Sequence, residues 1–85
     1  MKIVISCEAE KQITKLGKQI QKRIIKYLAE VSKLENPRSR GKSLIGNLLG
    51  IWRYRVGDYR ILCKIKDEEL IILVLEVGHR KNIYD

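Results

Sequence analysis

The amino-acid sequence predicts an α+β fold with the element order β-α-α-β-β-β. We expect a small, mostly antiparallel sheet of about four strands, with two N-terminal helices packed on one face. Apolar residues recur at helical spacing in the first half of the chain, and short β-branched and aromatic runs separated by turn residues follow in the second half. A chain of 85 residues is near the size at which one hydrophobic core is just sufficient. We therefore expect one domain that spans residues 1–85.

One strand and one helix are predicted at the start of the chain. Residues 2–6 form a short β-branched run, which is typical of a strand. The side chain of Ser6 can cap a helix that begins at Glu8 and ends at Gly17. Acidic residues in the first turn of that helix suit the positive end of its dipole.

A second helix is predicted over residues 18–34. Its apolar stripe follows spacings of three and four residues through Ile20, Ile24, Leu28 and Val31. Pro37 ends the pattern, because proline lacks a backbone N–H and disfavours helical geometry in the residue before it. Residues 38–47 then form a polar linker that contains glycine.

A β-hairpin is predicted over residues 51–62, with Gly57 and Asp58 as its two-residue turn. Glycine at the first central position suits a type II′ turn, whose twist matches that of the flanking strands. In the resulting register, Arg55 lies directly opposite Arg60 on the second strand. The hairpin therefore predicts its own side-chain pairing.

The last strand is predicted to be central in the sheet. The second hairpin strand continues to Lys66, residues 67–68 read as a turn, and residues 70–77 form the final strand. Its apolar run lacks alternation, which is typical of a strand covered on both faces. An antiparallel arrangement brings the end of this strand beside the turn at residues 57–58.

Three arginines are predicted to share one face of the hairpin. Side chains alternate along a strand, so Arg53 and Arg55 point the same way, and cross-strand pairing adds Arg60. Like charges so close repel each other, so either an anion binds between them or the side chains splay into water. Residues 78–84 follow the last strand at the same end of the sheet, and this convergence of separate segments favours the anion site.

The charge of the chain suggests a polyanionic partner. Eighteen Lys and Arg against ten Asp and Glu give a formal net charge of +8. Such an excess suits nucleic acid, the ribosome or an acidic protein, although a generally basic soluble protein carries the same signal. Four of the five aromatic residues lie in the second half, near the arginines, as base stacking and phosphate binding require. Trp52, Tyr54 and Tyr59 alternate with the arginines, however, so we expect them to point to the opposite face and to pack in the core.

The chemistry open to the arginine cluster is cleavage of RNA by its own 2′-hydroxyl. That reaction needs in-line positioning, charge stabilisation at the phosphate and help with proton transfer. Arginine can stabilise the charge at the phosphate, but it cannot transfer protons, since its guanidinium stays charged. His79 and Tyr84 are the neighbouring candidates for proton transfer. The alternative for His79 is a structural role, and the alternatives for Tyr84 are stacking on a base or a frayed position near the end of the chain.

The remaining signals predict a cytoplasmic protein that uses no metal ion and no cofactor. Cys7 and Cys63 are expected to be reduced, buried and small hydrophobes, and one histidine with two distant cysteines makes no zinc site. No segment approaches the roughly 18–20 apolar residues of a membrane span, and the start of the chain lacks a signal-peptide core.

Three stretches together resemble the RelE/ParE superfamily of bacterial type II toxins. They are residues 44–47, residues 50–60 (Gly-Ile-Trp-Arg-Tyr-Arg-Val-Gly-Asp-Tyr-Arg) and residues 77–84 (Val-Gly-His-Arg-Lys-Asn-Ile-Tyr). The RelE branch implies a metal-independent endoribonuclease that cleaves mRNA in the ribosomal A site and thereby inhibits translation. The resemblance also implies a RelB-like antitoxin partner and a heteromeric toxin–antitoxin complex.

The resemblance assigns the site residue by residue. Arg53 and Arg55 match two alternating basic residues of the family, and Arg60 matches the arginine after the hairpin turn. Arg80 matches the arginine after the last strand, and Tyr84 matches the C-terminal tyrosine. The catalytic set implied is Arg53, Arg55, Arg60, Arg80, Tyr84 and His79. The RNA-binding set is Lys42, Arg53, Arg55, Arg60, Arg80 and Lys81.

The match to the superfamily is not complete, and two other functions compete with RNA cleavage. Ile45 stands where some members have a basic residue, and the spacing from Arg80 to Tyr84 is shorter than in some relatives. The same fold supports a ParE-like inhibitor of DNA gyrase, which cuts no RNA. A basic module that binds nucleic acid without cleaving it is the third reading, and it predicts salt-sensitive binding.

Overall fold

The computed structural model describes residues 1–44 and 46–79, and the five strands and two helices lie within these ranges. In chain order they are β1 (Lys2–Ile5), α1 (Cys7–Thr14), α2 (Lys18–Ser32), β2 (Lys42–Ser43), β3 (Trp52–Val56), β4 (Tyr59–Lys66) and β5 (Ile71–His79). Short helical turns at Pro37–Ser39 and Gly46–Leu48 flank β2. None of the helices in these ranges is long and apolar enough to cross a membrane.

The sheet has five strands in the order β1-β5-β4-β3-β2, which corrects the expectation of about four. The additional strand is β2, a two-residue segment inside the predicted linker that pairs antiparallel with β3. β1 pairs parallel with β5, and the other three pairings are antiparallel. β5 lies between β1 and β4, so its predicted central position is confirmed. The α+β class is confirmed as well.

The helix boundaries confirm one predicted cap and correct another. The Oγ of Ser6 accepts a hydrogen bond from the backbone N–H of Ala9 at 3.1 Å, so this residue caps α1 as expected. α1 ends at Thr14, however, and Gly17 does not end it. Gly17 is instead the residue from which α2 begins, with extended backbone angles and without a side-chain cap.

The hydrophobic core lies between the two helices and one face of the sheet. Its helical members are Ala9, Ile13, Ile24, Leu28 and Val31, and its sheet members are Tyr54, Val56, Ile61, Cys63, Ile72, Val74 and Val77. The prediction that Cys63 is buried is confirmed, whereas the same prediction for Cys7 is wrong, because Cys7 is exposed at the start of α1. The core therefore uses the residues of β3 and β4 whose side chains point to the face opposite the arginines.

Three contacts hold the linker against β3. The hydroxyl of Tyr54 donates to the Pro37 carbonyl oxygen at 2.7 Å, and Nε1 of Trp52 donates to the Arg40 carbonyl oxygen at 2.8 Å. Gly41 has φ +80°, and a Cβ there would overlap the carbonyl oxygen of Arg53. Only glycine allows this approach, which carries the chain into β2.

A bulge in β5 changes which of its side chains face the core. Leu62 pairs with Glu76, but the next residue of β4, Cys63, pairs with Val74. Leu75 is therefore the extra residue, and the alternation of β5 changes phase there. As a result Val77 is buried in the core while Glu76 is exposed.

Candidate functional site

The hairpin of β3 and β4 has the predicted turn and register. Gly57 has φ +57° whereas Asp58 has a negative φ, which is the type II′ combination. Arg55 pairs with Arg60, and Arg53 pairs with Leu62. Since directly paired side chains share a face, the three arginines lie together on the face of the sheet away from the helices. We call this set, Arg53, Arg55 and Arg60, the arginine face.

The three arginines differ strongly in exposure. Arg60 is only 3% exposed, Arg53 is half-buried and Arg55 is exposed. Removing a guanidinium from water is costly, and a like charge directly opposite adds to the cost. The neighbouring guanidiniums of Arg60 and Arg55 are suited to binding an anion such as phosphate, because both can donate hydrogen bonds to its oxygens from the same face of the sheet.

Lys42 extends the arginine face toward the edge of the sheet. It pairs with Arg53 across β2 and β3, so its side chain is on the same face. Lys42 is exposed, and it lines a cavity together with Arg53 and Arg55. The structure therefore brings four of the predicted site residues together: Lys42, Arg53, Arg55 and Arg60.

His79 is not on the arginine face. It pairs with Tyr59 across β4 and β5, and the two rings meet edge to face with centroids 5.6 Å apart. Tyr59 in turn pairs with the core residue Val56, so this group belongs to the helix side of the sheet. The residue opposite Arg60 is Gly78. Three other predicted site residues, Arg80, Lys81 and Tyr84, lie outside the described residues, as does Ile45.

The predicted site did not include a basic cleft that runs along the outer edge of β3 beside α2. A cavity of about 370 Å³ is lined by Arg23, Lys26, Tyr27, Glu30, Arg55, Val56 and Gly57. A neighbouring cavity of about 210 Å³ is lined by Tyr27, Gly41, Lys42, Arg53 and Arg55. The helical members of the first cavity are spaced by three, four and seven residues, and this spacing is the sequence signal that identifies them as one face of α2. We call the two cavities together the edge cleft.

Two basic residues of the linker are engaged elsewhere. Arg38 donates two hydrogen bonds to the carboxylate of Asp67, at 2.8 and 2.9 Å, and this guanidinium holds the pKa of Asp67 below its usual range. Arg40 pairs with Glu30 at 3.2 Å and lies over the ring of Tyr27, 5.5 Å from its centroid. Partial burial raises the pKa of Tyr27, so the phenol stays neutral. Arg38 and Arg40 therefore hold the linker in place, and this role distinguishes them from the exposed cations of the site.

Comparison with known proteins places this chain in a family. A family model described as the ParE toxin of the type II toxin–antitoxin system parDE matches residues 3–84, nearly the whole chain. The chain belongs to this toxin family. It is therefore a RelE/ParE superfamily toxin of a type II toxin–antitoxin system, as the sequence motifs suggested.

Individual relatives agree with the family. Toxin RelG of Mycobacterium tuberculosis is 32% identical over 77 residues, which cover 89% of this chain and 86% of that toxin. The RelBE2 toxin–antitoxin complex of Mycobacterium tuberculosis contains a chain similar in structure, with a TM-score of 0.85, 28% identity, and coverage of 95% of this chain and 92% of that chain. The isolated E. coli RelE toxin matches with a TM-score of 0.74 and 22% identity, over 92% of this chain and 82% of that one, which shows a shared fold.

Proposed function

We propose that this toxin is an endoribonuclease that cleaves mRNA in the ribosomal A site and so inhibits translation. The observation that carries the proposal is the arginine face, where Arg55 stands directly opposite the nearly buried Arg60. The similarity to Toxin RelG and to the toxin of the RelBE2 complex favours the RelE branch of the superfamily. Arginine's planar fork matches two phosphate oxygens at once and keeps its charge at every physiological pH.

In the proposed reaction the substrate supplies its own nucleophile. The 2′-hydroxyl loses its proton as its oxygen attacks the adjacent phosphorus, and the bond to the 5′-oxygen of the next nucleotide breaks. That leaving oxygen takes up a proton, so a 2′,3′-cyclic phosphate and a 5′-hydroxyl result. Negative charge on the phosphate oxygens grows in the transition state, and Arg53, Arg55 and Arg60 stabilise it. In this proposal the positive charge of the arginines beside the phosphate accelerates the reaction, and no covalent bond to the protein is formed.

Proton transfer needs a group other than these arginines, because a guanidinium does not deprotonate in proteins. Because His79 pairs with Tyr59 on the helix side of the sheet, the proposal gives this histidine a packing role and does not use it for proton transfer. The proposal retains Arg80, Lys81 and Tyr84, which follow β5 in the chain, as further members of the site. Of these, Tyr84 is the candidate for orienting the 2′-hydroxyl or stacking on a base.

Primer extension on a reporter mRNA in a reconstituted translation system tests the proposal. The purified toxin is expected to cut at A-site codons and to leave the message intact when ribosomes are omitted. Arg55→Ala removes an exposed guanidinium and should lower the cleavage rate by about 10- to 100-fold, from the loss of one charge-assisted hydrogen bond in the transition state. Lys33→Ala removes an equal charge from an exposed residue at the end of α2 and should leave the rate unchanged.

We also propose that a RelB-like antitoxin silences this toxin in a heteromeric complex. Toxin–antitoxin complexes from Mycobacterium tuberculosis, E. coli and Pyrococcus horikoshii are among the structures similar to this chain, and a basic toxin suits an acidic partner. The cognate antitoxin should co-elute with the toxin in size-exclusion chromatography and suppress cleavage in the reconstituted system. Independent elution with cleavage unchanged would contradict this partner.

A ParE-like inhibitor of DNA gyrase is the second candidate, since the matching family model is that of ParE toxins. This function predicts inhibition of gyrase supercoiling by the purified toxin, with mRNA intact in arrested cells. A non-catalytic nucleic-acid-binding module predicts neither result and only salt-sensitive RNA binding. The supercoiling assay and the primer-extension assay on one protein preparation separate the three functions.

A further inference from the structure

The helix α2 presents different chemistry to the two edges of the sheet. Toward the β3 edge it contributes the charged and aromatic lining of the edge cleft: Arg23, Lys26, Tyr27 and Glu30. Toward the β1 edge it helps to form a mostly apolar cavity with Ile25, Leu28, Ala29 and Ser32. The two sets have the same spacing along the helix but lie on different sides of it. One edge of the molecule is thus suited to charge and the other to apolar contacts.

We propose that the edge cleft binds the phosphodiester backbone of RNA, next to the arginine face and continuous with it. Arg55 belongs to both surfaces, because it pairs with Arg60 on the arginine face and lines both cavities of the edge cleft. β2 pairs with β3 only at Trp52 and Arg53, so the outer edge of residues 54–56 has no further strand among the described residues. A strand of RNA can therefore pass around this edge from one surface to the other.

The charges of the edge cleft favour an anion. Five cationic residues line it: Arg23, Lys26, Lys42, Arg53 and Arg55. Glu30 is the one carboxylate in the described lining, and its ion pair with Arg40 offsets its charge. Within the described residues, Arg23 and Lys26 form no ion pair. Their charges are available to a ligand at exposed positions, where binding costs little desolvation.

Arg23 is positioned by the hairpin turn. Its guanidinium packs over Gly57, where a Cβ would lie 3.3 Å from Nη2 and 3.5 Å from Nη1. The glycine that the type II′ turn requires therefore also leaves room for this side chain. Arg23 and Arg55 are thus brought to the tip of the hairpin from two different elements, and Lys26 lies one turn further along α2.

The proposed occupant is nucleic acid rather than a peptide. A peptide that binds by an apolar face requires apolar pockets, and the mostly apolar cavity of α2 opens at the β1 edge, not here. A charged groove with an aromatic wall is instead the usual surface for a single-stranded backbone. The inference rests on the proposed function in taking RNA as the polyanion, and the RNA can belong to the message or to the ribosome.

Two double variants on the same helix provide the test. Arg23→Gln with Lys26→Gln removes two charges from the edge cleft, and Lys18→Gln with Lys22→Gln removes two exposed charges of α2 outside it. The probes are a single-stranded 2′-O-methyl oligoribonucleotide of about 12 nucleotides, which cannot be cut, and isolated small ribosomal subunits. Binding is measured from 50 to 200 mM salt, and urea unfolding checks that all variants are folded.

The cleft variant should bind the oligonucleotide about ten-fold more weakly than the wild type, and the slope of log K against log salt should fall in magnitude by about 1.4, for two lost phosphate contacts. The control variant should show a smaller loss and no comparable change in slope. A loss confined to small ribosomal subunits also supports the edge cleft and identifies ribosomal RNA as the source.

Three other outcomes separate this inference from the proposed function. Equal RNA binding by the cleft and control variants overturns the edge cleft as an RNA site, even if Arg55→Ala still lowers the rate of cleavage. Unchanged RNA binding with weaker binding of the cognate antitoxin overturns it too and identifies a protein occupant. If the cleft variant alone loses RNA binding while the wild-type protein cuts no mRNA, the edge cleft is supported and the proposed nuclease is overturned.

Discussion

Replacing Gly41 by alanine should destabilise the protein far more than the same change at Gly46. Both glycines have positive φ, +80° and +69°, so alanine at either position adopts a left-handed conformation that costs about 1–2 kcal/mol. A Cβ on Gly41 would in addition overlap the carbonyl oxygen of Arg53 and lie 2.6 Å from Nε1 of Trp52, whereas a Cβ on Gly46 meets nothing within 4 Å. Overpacking against backbone adds about 1–3 kcal/mol.

The expected losses in the free energy of unfolding are therefore about 2–5 kcal/mol for Gly41→Ala and about 1–2 kcal/mol for Gly46→Ala. Urea unfolding followed by circular dichroism measures both, and at an m-value of about 1 kcal/mol/M the two midpoints should differ by about 1 M or more. The variants share their chemistry and their backbone region, so the difference isolates the approach of the linker to β3. Midpoints that agree within about 0.3 M would refute the proposed packing of residue 41 against β3.

Three further predictions follow from buried and paired groups. Tyr54→Phe should lower the unfolding free energy by about 1–3 kcal/mol in urea titrations, since the linker carbonyl that accepts the buried phenol's hydrogen bond loses its partner. A disulfide reagent at pH 8 should label Cys7 in the folded protein but not Cys63, because burial raises the pKa of the Cys63 thiol to about 12 and excludes the reagent. The carboxyl of Asp67 should titrate by NMR below its usual range, and Arg38→Ala should raise its pKa, because the guanidinium that lowers it is removed.

The sign of the Asp67 effect is fixed by its lowered pKa. Stability contributed by its pair with Arg38 is present above the unfolded pKa of about 3.9 and is lost as the pH falls through the folded pKa. Wild type and Arg38→Ala should therefore converge in stability at low pH. An Asp67 midpoint unaffected by Arg38→Ala would contradict the ion pair, and rapid labelling of folded Cys63 would contradict its burial. A Tyr54→Phe variant as stable as the wild type would contradict its hydrogen bond to the linker.

Local chemistry made much of the hairpin predictable from the sequence. The pair Gly57-Asp58 determines a two-residue turn, and the turn determines that Arg55 meets Arg60. Alternation then assigns Tyr54 to the core and the arginines to the other face. The cap at Ser6 was predictable for the same reason, because the side chain bonds to a backbone group three residues away.

Features that depend on distant contacts were not predictable in this way. Lys42 and Ser43 have no strand pattern, and they pair with β3 because the linker is fastened to Trp52 and Tyr54. The exposure of Cys7 depends on how α1 packs, which its apolar neighbours in sequence do not reveal. His79 faces the helix side as a consequence of its pairing with Tyr59.

The edge cleft is the clearest case of information that only the fold supplies. In the sequence, spacing alone can group Arg23 and Lys26 on one face of α2, but it does not show that this face, rather than the positions of Lys18 and Lys22, lies beside the sheet. Packing of α2 beside β3 places the first two at the hairpin turn and leaves the other two outside the cleft. Which basic residues of α2 belong to the cleft is thus known only once the packing of α2 beside β3 is known.

The position of β5 between β1 and β4 has a consequence for when this toxin can fold during its synthesis. β5 is the fifth strand along the chain, yet it lies between β1 and β4, and α1 also packs against it. A nascent chain that has emerged only as far as the hairpin holds β1 apart from β3 and β4, with nothing to join them. Residues 1–79 must therefore be almost completely synthesised before β1 can join the sheet, because its parallel partner β5 is the last of the five strands to be made. The arginine face, which lies on β3 and β4, therefore belongs to an incomplete sheet until β5 has been synthesised.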